Sequence, residues 1–254
     1  MTPEQLGAVL AADLGAPVRL RPDVARAPYV WTTTALRDHA GRDAAAVARA
    51  MGSARHTPGV TLAGDELTLT LGPDDLDAVL DQQLDRTLVA SVGEELVARQ
   101  APDRSWRLTR DATTTSYADL ARLAGDASAR WVTARSADGQ QIDVARAGLG
   151  SRTPADPLFA VLLAHARLGR PPADGGERLL ATVAETPMVL AEAARAGRTR
   201  PWILHLESVA EAALAWRASG QPPVCWTSAR LAEAARIVLA TGLGQAGIPA
   251  PTQI

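Results

Sequence analysis

From about residue 155 onward, proline opens and glycine closes one apolar run after another, and that punctuation leaves room for little except a bundle of helices. Pro157 opens a run through Leu168 that Gly169 closes; Thr186–Pro187 opens a second that Gly197 closes; Pro201 opens a third. In the third, Trp202, Leu206, Val209, Ala213 and Trp216 follow at intervals of four, three, four and three, which is the seam of one helix face. A last helix is expected from about Ser228 to Thr241. With short loops between them, these runs predict an α-helical bundle.

The other end of the chain mixes periods. Thr2, Pro3 and Gln5 form a capping-box start, and Leu6, Val9 and Leu10 give the helix behind it an apolar stripe. A short strand is expected at Val18–Leu20, then an Ala-rich helix from about Asp43 to Met51, with Gly52 as its stop. Val60–Leu62 and Glu66–Leu71 read as strands around the turn Ala63–Asp65, because Leu67, Leu69 and Leu71 alternate with Thr68 and Thr70. Pro73 opens another helix with Leu76, Val79, Leu80 and Leu84 on one face. The expected fold class is therefore a small α+β N-terminal domain over residues 1–85, a linker over 86–115 with loop composition at Gln100–Arg104, and a mainly α-helical bundle over 116–254. Ser116 and Asp119 cap the first helix of that second half, which Gly125 ends.

Composition removes several chemistries. All 26 of the residues counted as Lys or Arg are Arg, so lysine nucleophiles, Schiff bases and phosphate-gripping lysines are excluded. The net charge is −2, so any contact with nucleic acid must come from a local arginine patch. The arginine-rich stretches are Arg122–Arg135, Arg146–Arg170 and Arg195–Arg200. The single Cys225 permits neither an internal disulfide nor a structural zinc site. Asp74, Asp75, Asp77, Asp81 and Asp85 lack the spacing of a calcium loop and read as a solvated helix face. Ser151, Asp156 and His165 lack the strand–turn–helix setting of a hydrolase nucleophile. No cofactor and no metal is expected. Without a signal pattern or an apolar run of membrane length, the chain reads as cytoplasmic, with no membrane partner.

The second half carries a recognisable order of motifs. Ser116–Leu168 reads SYADLARLAGDASARWVTARSADGQQIDVARAGLGSRTPADPLFAVLLAHARL. Its landmarks are Gly125, Arg130 with Trp131, Ser136 with Asp138, Ile142 with Asp143, Asp156 with Pro157, and Ala164–Arg167. The tail adds Leu239, Gly242, Leu243, Gly247, Ile248, Ala250 and Pro251. This order resembles the DALR anticodon-binding domain of arginyl-tRNA synthetases. The first ~80 residues resemble, less specifically, the N-terminal add-on domain of the same enzymes, through Tyr29–Leu36 and Gly64–Leu71. Between the two, residues 72–110 are too few for a nucleotide-binding α/β domain, whose βαβ unit alone takes about 30 residues. His39, His56, His165 and His205 are isolated, so the His-x-Gly-His motif of a class I synthetase is missing.

The resemblance implies a non-catalytic tRNA-binding paralogue of arginyl-tRNA synthetase rather than an enzyme. Its implied partners are tRNA, with tRNA for arginine as the implied species, and a synthetase or other tRNA-dependent enzyme to which the tRNA is presented. The residues singled out for tRNA are Arg130, Arg167, Arg170, Arg200, Trp216 and Trp226. Where the family carries Tyr and Gln before its Ala-His-Ala-Arg, this chain has Ala160, Val161, Leu162 and Leu163. The family's later aromatic segment matches Ala213–Arg217, in which Trp216 is the aromatic that remains. Base stacking is thereby reduced, and the expected contacts are mainly arginine to phosphate. The alternative is a protein-interaction module that has lost RNA binding.

Overall fold

The structure is a computed structural model, and it describes residues 1–23, 25–41, 43–84, 108–110, 113–136, 142–143, 149–153, 155–169, 176–218 and 226–251. The chain divides into two compact units, Met1–Gln82 and Gln83–Ile254.

In the first unit, α1 (Pro3–Leu14) begins as its capping box dictates. Thr2 accepts from the amide of Gln5, whose side chain accepts from the amide of Thr2. The chain continues through β1 (Arg21–Pro22), β2 (Val30–Thr33), α2 (Ala35–His39), α3 (Ala44–Arg55), β3 (Val60–Ala63), β4 (Glu66–Thr70) and α4 (Pro73–Leu84). The strands form one antiparallel sheet in the order β1-β2-β4-β3. Trp31 lies opposite Leu69, and Thr33 opposite Leu67. All four are buried, so the alternation read in β4 is the alternation of one covered face. Helices α1 and α3 pack together, burying Leu6, Leu10, Ala50 and Ala54.

Two expectations for this unit are corrected. Val18–Leu20 forms no strand; sheet pairing starts only at Arg21, opposite Thr32. The Val18 carbonyl passes 3.1 Å from where a Cβ on Gly7 would stand, and Leu20 is fully buried, so this run packs on α1 instead of pairing. Gly52 does not stop α3, which runs on to Arg55. Ala46, Ala50 and Ala54 hold the helix to the core at i, i+4, i+8, and that burial outweighs a glycine penalty of about 1 kcal/mol. Pro58 lies three residues beyond the helix and bars its extension.

The second unit contains a feature absent from the sequence reading. Strands β5 (Leu108–Arg110), β6 (Thr113–Thr115) and β7 (Ile142–Asp143) form a three-stranded sheet in the order β6-β5-β7. Runs of two and three residues carry no measurable period, so only pairing reveals them. The loop expected at Gln100–Arg104 lies outside the described residues.

The bundle follows as α5 (Tyr117–Ala124), α6 (Asp126–Arg135), α7 (Pro157–Arg167), α8 (Glu177–Ala196), α9 (Arg200–Ala218) and α10 (Trp226–Gln245). The capping box of Ser116 and Asp119 starts α5. Asp156 starts α7 by accepting from the amides of Leu158 and Phe159. Helix α9 is the centre, packed against α6, α7, α8 and α10, and its predicted seam from Trp202 to Trp216 is buried throughout. Thr186–Pro187 does not open a helix: α8 begins ten residues earlier, at Glu177, and carries Pro187 inside it. A proline costs a free helix about 3 kcal/mol. Here Val183, Ala184, Met188 and Val189 are buried on both sides of it, and Thr186 is held by a hydrogen bond to His205 Nε2 at 3.0 Å. The fold is thus a small α+β unit followed by a mainly helical bundle.

Candidate nucleic-acid interface

The turn from α8 to α9 concentrates positive charge. Gly197 closes α8 in the left-handed conformation, with φ of 61°, which a residue without Cβ adopts at no steric cost. Thr199 Oγ1 then donates to the Ala134 carbonyl at 3.0 Å and fixes the turn to the end of α6. Arg195, Arg198 and Arg200 all project into solvent from this corner. None of the three has a carboxylate partner among the described residues. One arginine would serve the partial negative charge at the end of α8; three within six residues exceed it. Two other exposed arginines are neutralised locally. Arg122 pairs with Asp119 and Arg178 with Glu211, each at 2.8 Å.

The residues expected from the sequence fall in different settings. Arg200 belongs to the corner. Arg167 is exposed on the last turn of α7, also with no carboxylate partner among the described residues. Arg130 is exposed but engaged. Its Nε donates to Asp126 Oδ2 at 2.6 Å, and its Nη1 reaches within 2.8 Å of where a Cβ on Gly247 would stand. Trp216 is 4% exposed, so its ring is part of the packing around α9. Trp131 is buried too, and its Nε1 donates to Glu207, which also accepts from Arg135. Trp226 is the first residue of α10; its side chain and Arg170 lie outside the described residues.

One residue was missed. Tyr117 is the first residue after the Ser116 cap, and its ring is 38% exposed. Its hydroxyl donates to Asp126 Oδ1 at 3.1 Å. Partial burial, then that hydrogen bond, pushes the phenol up, while the hydrogen bond from Arg130 holds Asp126 below the usual carboxylate range. Tyr117, Asp126 and Arg130 therefore form a row in which an exposed ring stands beside a cation. The sequence signal was available: an aromatic at the first position of a capped amphipathic helix stands near the helix end, where burial is incomplete.

No family model matches the sequence, and no curated protein does. Two solved structures are similar to parts of it. One is a Campylobacter jejuni protein described as an arginyl-tRNA synthetase, at 15% identity over 58% of this chain, with a TM-score of 0.48. The other is the Thermus thermophilus arginyl-tRNA synthetase, at 21% identity over 70% of this chain, with a TM-score of 0.39. The chain spans 39% and 32% of their respective lengths.

Other chemistries find no geometry among the described residues. Asp156 accepts from three amides, those of Leu158, Phe159 and Gly150, while Ser151 bonds to Thr153 and His165 to Pro251. The three do not meet as a catalytic row. Among the described residues no three His, Cys, Asp or Glu side chains are grouped to hold a metal, and no helix is long and apolar enough to cross a membrane.

Proposed function

We propose that the chain binds tRNA without charging it, holding phosphates with arginines and presenting the tRNA to a partner enzyme such as a synthetase. The single observation that carries this is the α8–α9 corner, where Arg195, Arg198 and Arg200 stand in solvent with no carboxylate among the described residues to neutralise them. Guanidinium groups grip phosphate oxygens bidentately and stay charged at any relevant pH. The motif order from Gly125 to Arg167 supports tRNA as the nucleic acid, and tRNA for arginine as its species. Arg167 and Arg200 are the assigned phosphate contacts among the residues singled out from the sequence. The test is filter binding of tRNA for arginine and of an unrelated tRNA across a salt series. Three to four phosphate contacts give a log–log slope of about −2 to −4. No binding at low salt overturns the reading.

A second reading, a protein-interaction module, is favoured by α5, where Leu123 is 52% exposed on the helix that also carries Tyr117. Absence of tRNA binding together with retention of a synthetase by the full chain would select it.

A further inference from the structure

The last turn of α6 touches the α8–α9 corner, because the Ala134 carbonyl accepts from Thr199 Oγ1 at 3.0 Å. The next residue, Arg135, ends the helix and carries a side chain 43% exposed. It differs from the three arginines of the corner in being held. Its Nε donates to both oxygens of Glu207, at 2.8 and 3.0 Å. Glu207 is 18% exposed and also accepts from the indole of buried Trp131 at 3.1 Å. Trp131 and Arg135 stand one turn apart on α6, so a single carboxylate of α9 ties both to it.

This pairing uses little of the guanidinium. An arginine that spends its fork on a carboxylate donates from two nitrogens in parallel. Here Nε alone meets Glu207, and neither Nη has a partner among the described residues. The Nη hydrogens, on an exposed side chain, are left for solvent or a ligand. A free arginine loses rotamer freedom when it grips an anion, and one already tied at Nε has less to lose. Glu207 follows Arg200 by seven residues, which is about two turns and ~10 Å along one face of α9. A strand carries one charge per about 3.4 Å of duplex axis, so Glu207 and the corner stand about three phosphates apart.

We propose that Arg135 is a further phosphate contact of this interface, held ready by Glu207 as its positioning residue, on the same RNA strand that meets the corner. The assignment rests on the tRNA reading above.

The experiment uses the full chain and filter binding of tRNA for arginine across a salt series, with a melting curve for each variant. Arg135→Ala makes the log–log slope shallower by about one. Arg135→Lys keeps the charge and so the slope, but binds more weakly, because an ammonium has no fork to tie and grip with. Glu207→Gln keeps an acceptor for the Trp131 indole and removes the charge that holds Arg135. Its slope is unchanged while binding weakens about two- to twelvefold, the penalty of ordering one long side chain. A residue that only ties α6 to α9 would lower the melting temperature and leave the slope alone. An unchanged slope in Arg135→Ala overturns the proposal. So does tighter binding in Glu207→Gln, which would make Glu207 a neutralising charge only. Were Arg135→Ala to unfold, Glu207→Gln decides by itself. If replacing the corner arginines lowers the slope and Arg135→Ala does not, this assignment fails while the RNA reading stands. If the unaltered chain holds no tRNA at low salt, both fail.

Discussion

Leu206 of α9 lies against Gly242 of α10 so closely that a Cβ on Gly242 would stand 2.6 Å from Leu206 Cδ2 and nearer still to Cδ1. Leu206 is fully buried and cannot swing away into solvent. The glycine thus sets how near the last helix comes to the central one, and through it where Arg236 stands relative to α7.

Gly242→Val should therefore destabilise the bundle by about 1–3 kcal/mol, the usual range for overpacking. Gly242→Ala gains up to about 1 kcal/mol in helix propensity and should still come out destabilising. Leu206→Ala alone should cost about 2–5 kcal/mol, and the double variant Leu206→Ala/Gly242→Ala less than the sum. Urea unfolding gives all values; additive effects would show that the two side chains do not share the space.

Asp156→Ala should lower stability by about 1–2 kcal/mol. The carboxylate is buried at 3% exposure and accepts from the amides of Leu158, Phe159 and Gly150. Its loss strips the start of α7 and frees the preceding loop together. Asp156→Asn should recover most of the stability, since its carbonyl oxygen can still cap. Thermal unfolding monitored by circular dichroism separates the two variants.

Replacing Arg195, Arg198 and Arg200 together by Gln should reduce the tRNA salt slope by about 2–3, if all three meet phosphates, and weaken binding at low salt. Arg167→Ala should reduce it by about one. These residues are exposed and have no carboxylate partner among the described residues, so stability should change by no more than about 0.5 kcal/mol. Filter binding beside a melting curve decides; an unchanged slope places the RNA elsewhere.

Stability should fall as the pH drops below about 6.5. The His165 imidazole is lowered from its ordinary value of 6.5, so in the window below 6.5 the unfolded chain takes up a proton that the folded chain refuses. The unfolded state then binds more protons, and stability rises with pH across that window. It levels above 6.5, where both states are neutral, and again once the folded histidine protonates. His165→Gln should flatten this part of the profile, read as melting temperature from pH 5 to 8. An equally steep profile in the variant would assign the effect to other groups.

Arginine- and tRNA-dependent ATP–pyrophosphate exchange should stay at background for this chain, because its described residues hold no paired His-x-Gly-His to meet ATP phosphates. Exchange above background would overturn the non-catalytic reading.

The sequence by itself determined the elements whose cause is local. The caps at Thr2 and Ser116, the alternation of Leu67 and Leu69, and the seam from Trp202 to Trp216 all use groups within a few residues of each other, so their pattern was legible. The tertiary structure decided what depends on distant partners. Pro187 and Gly52 sit inside helices because packing on α9 and α1 outweighs their local penalties. Trp216 is in the core and Tyr117 is in solvent because exposure is set by neighbours remote in sequence. The strand pairing of Leu108–Arg110 with Ile142–Asp143 needed a fold to bring it together. So did the approach of His165 and Arg236, which stand 71 residues apart in the chain and line one cleft.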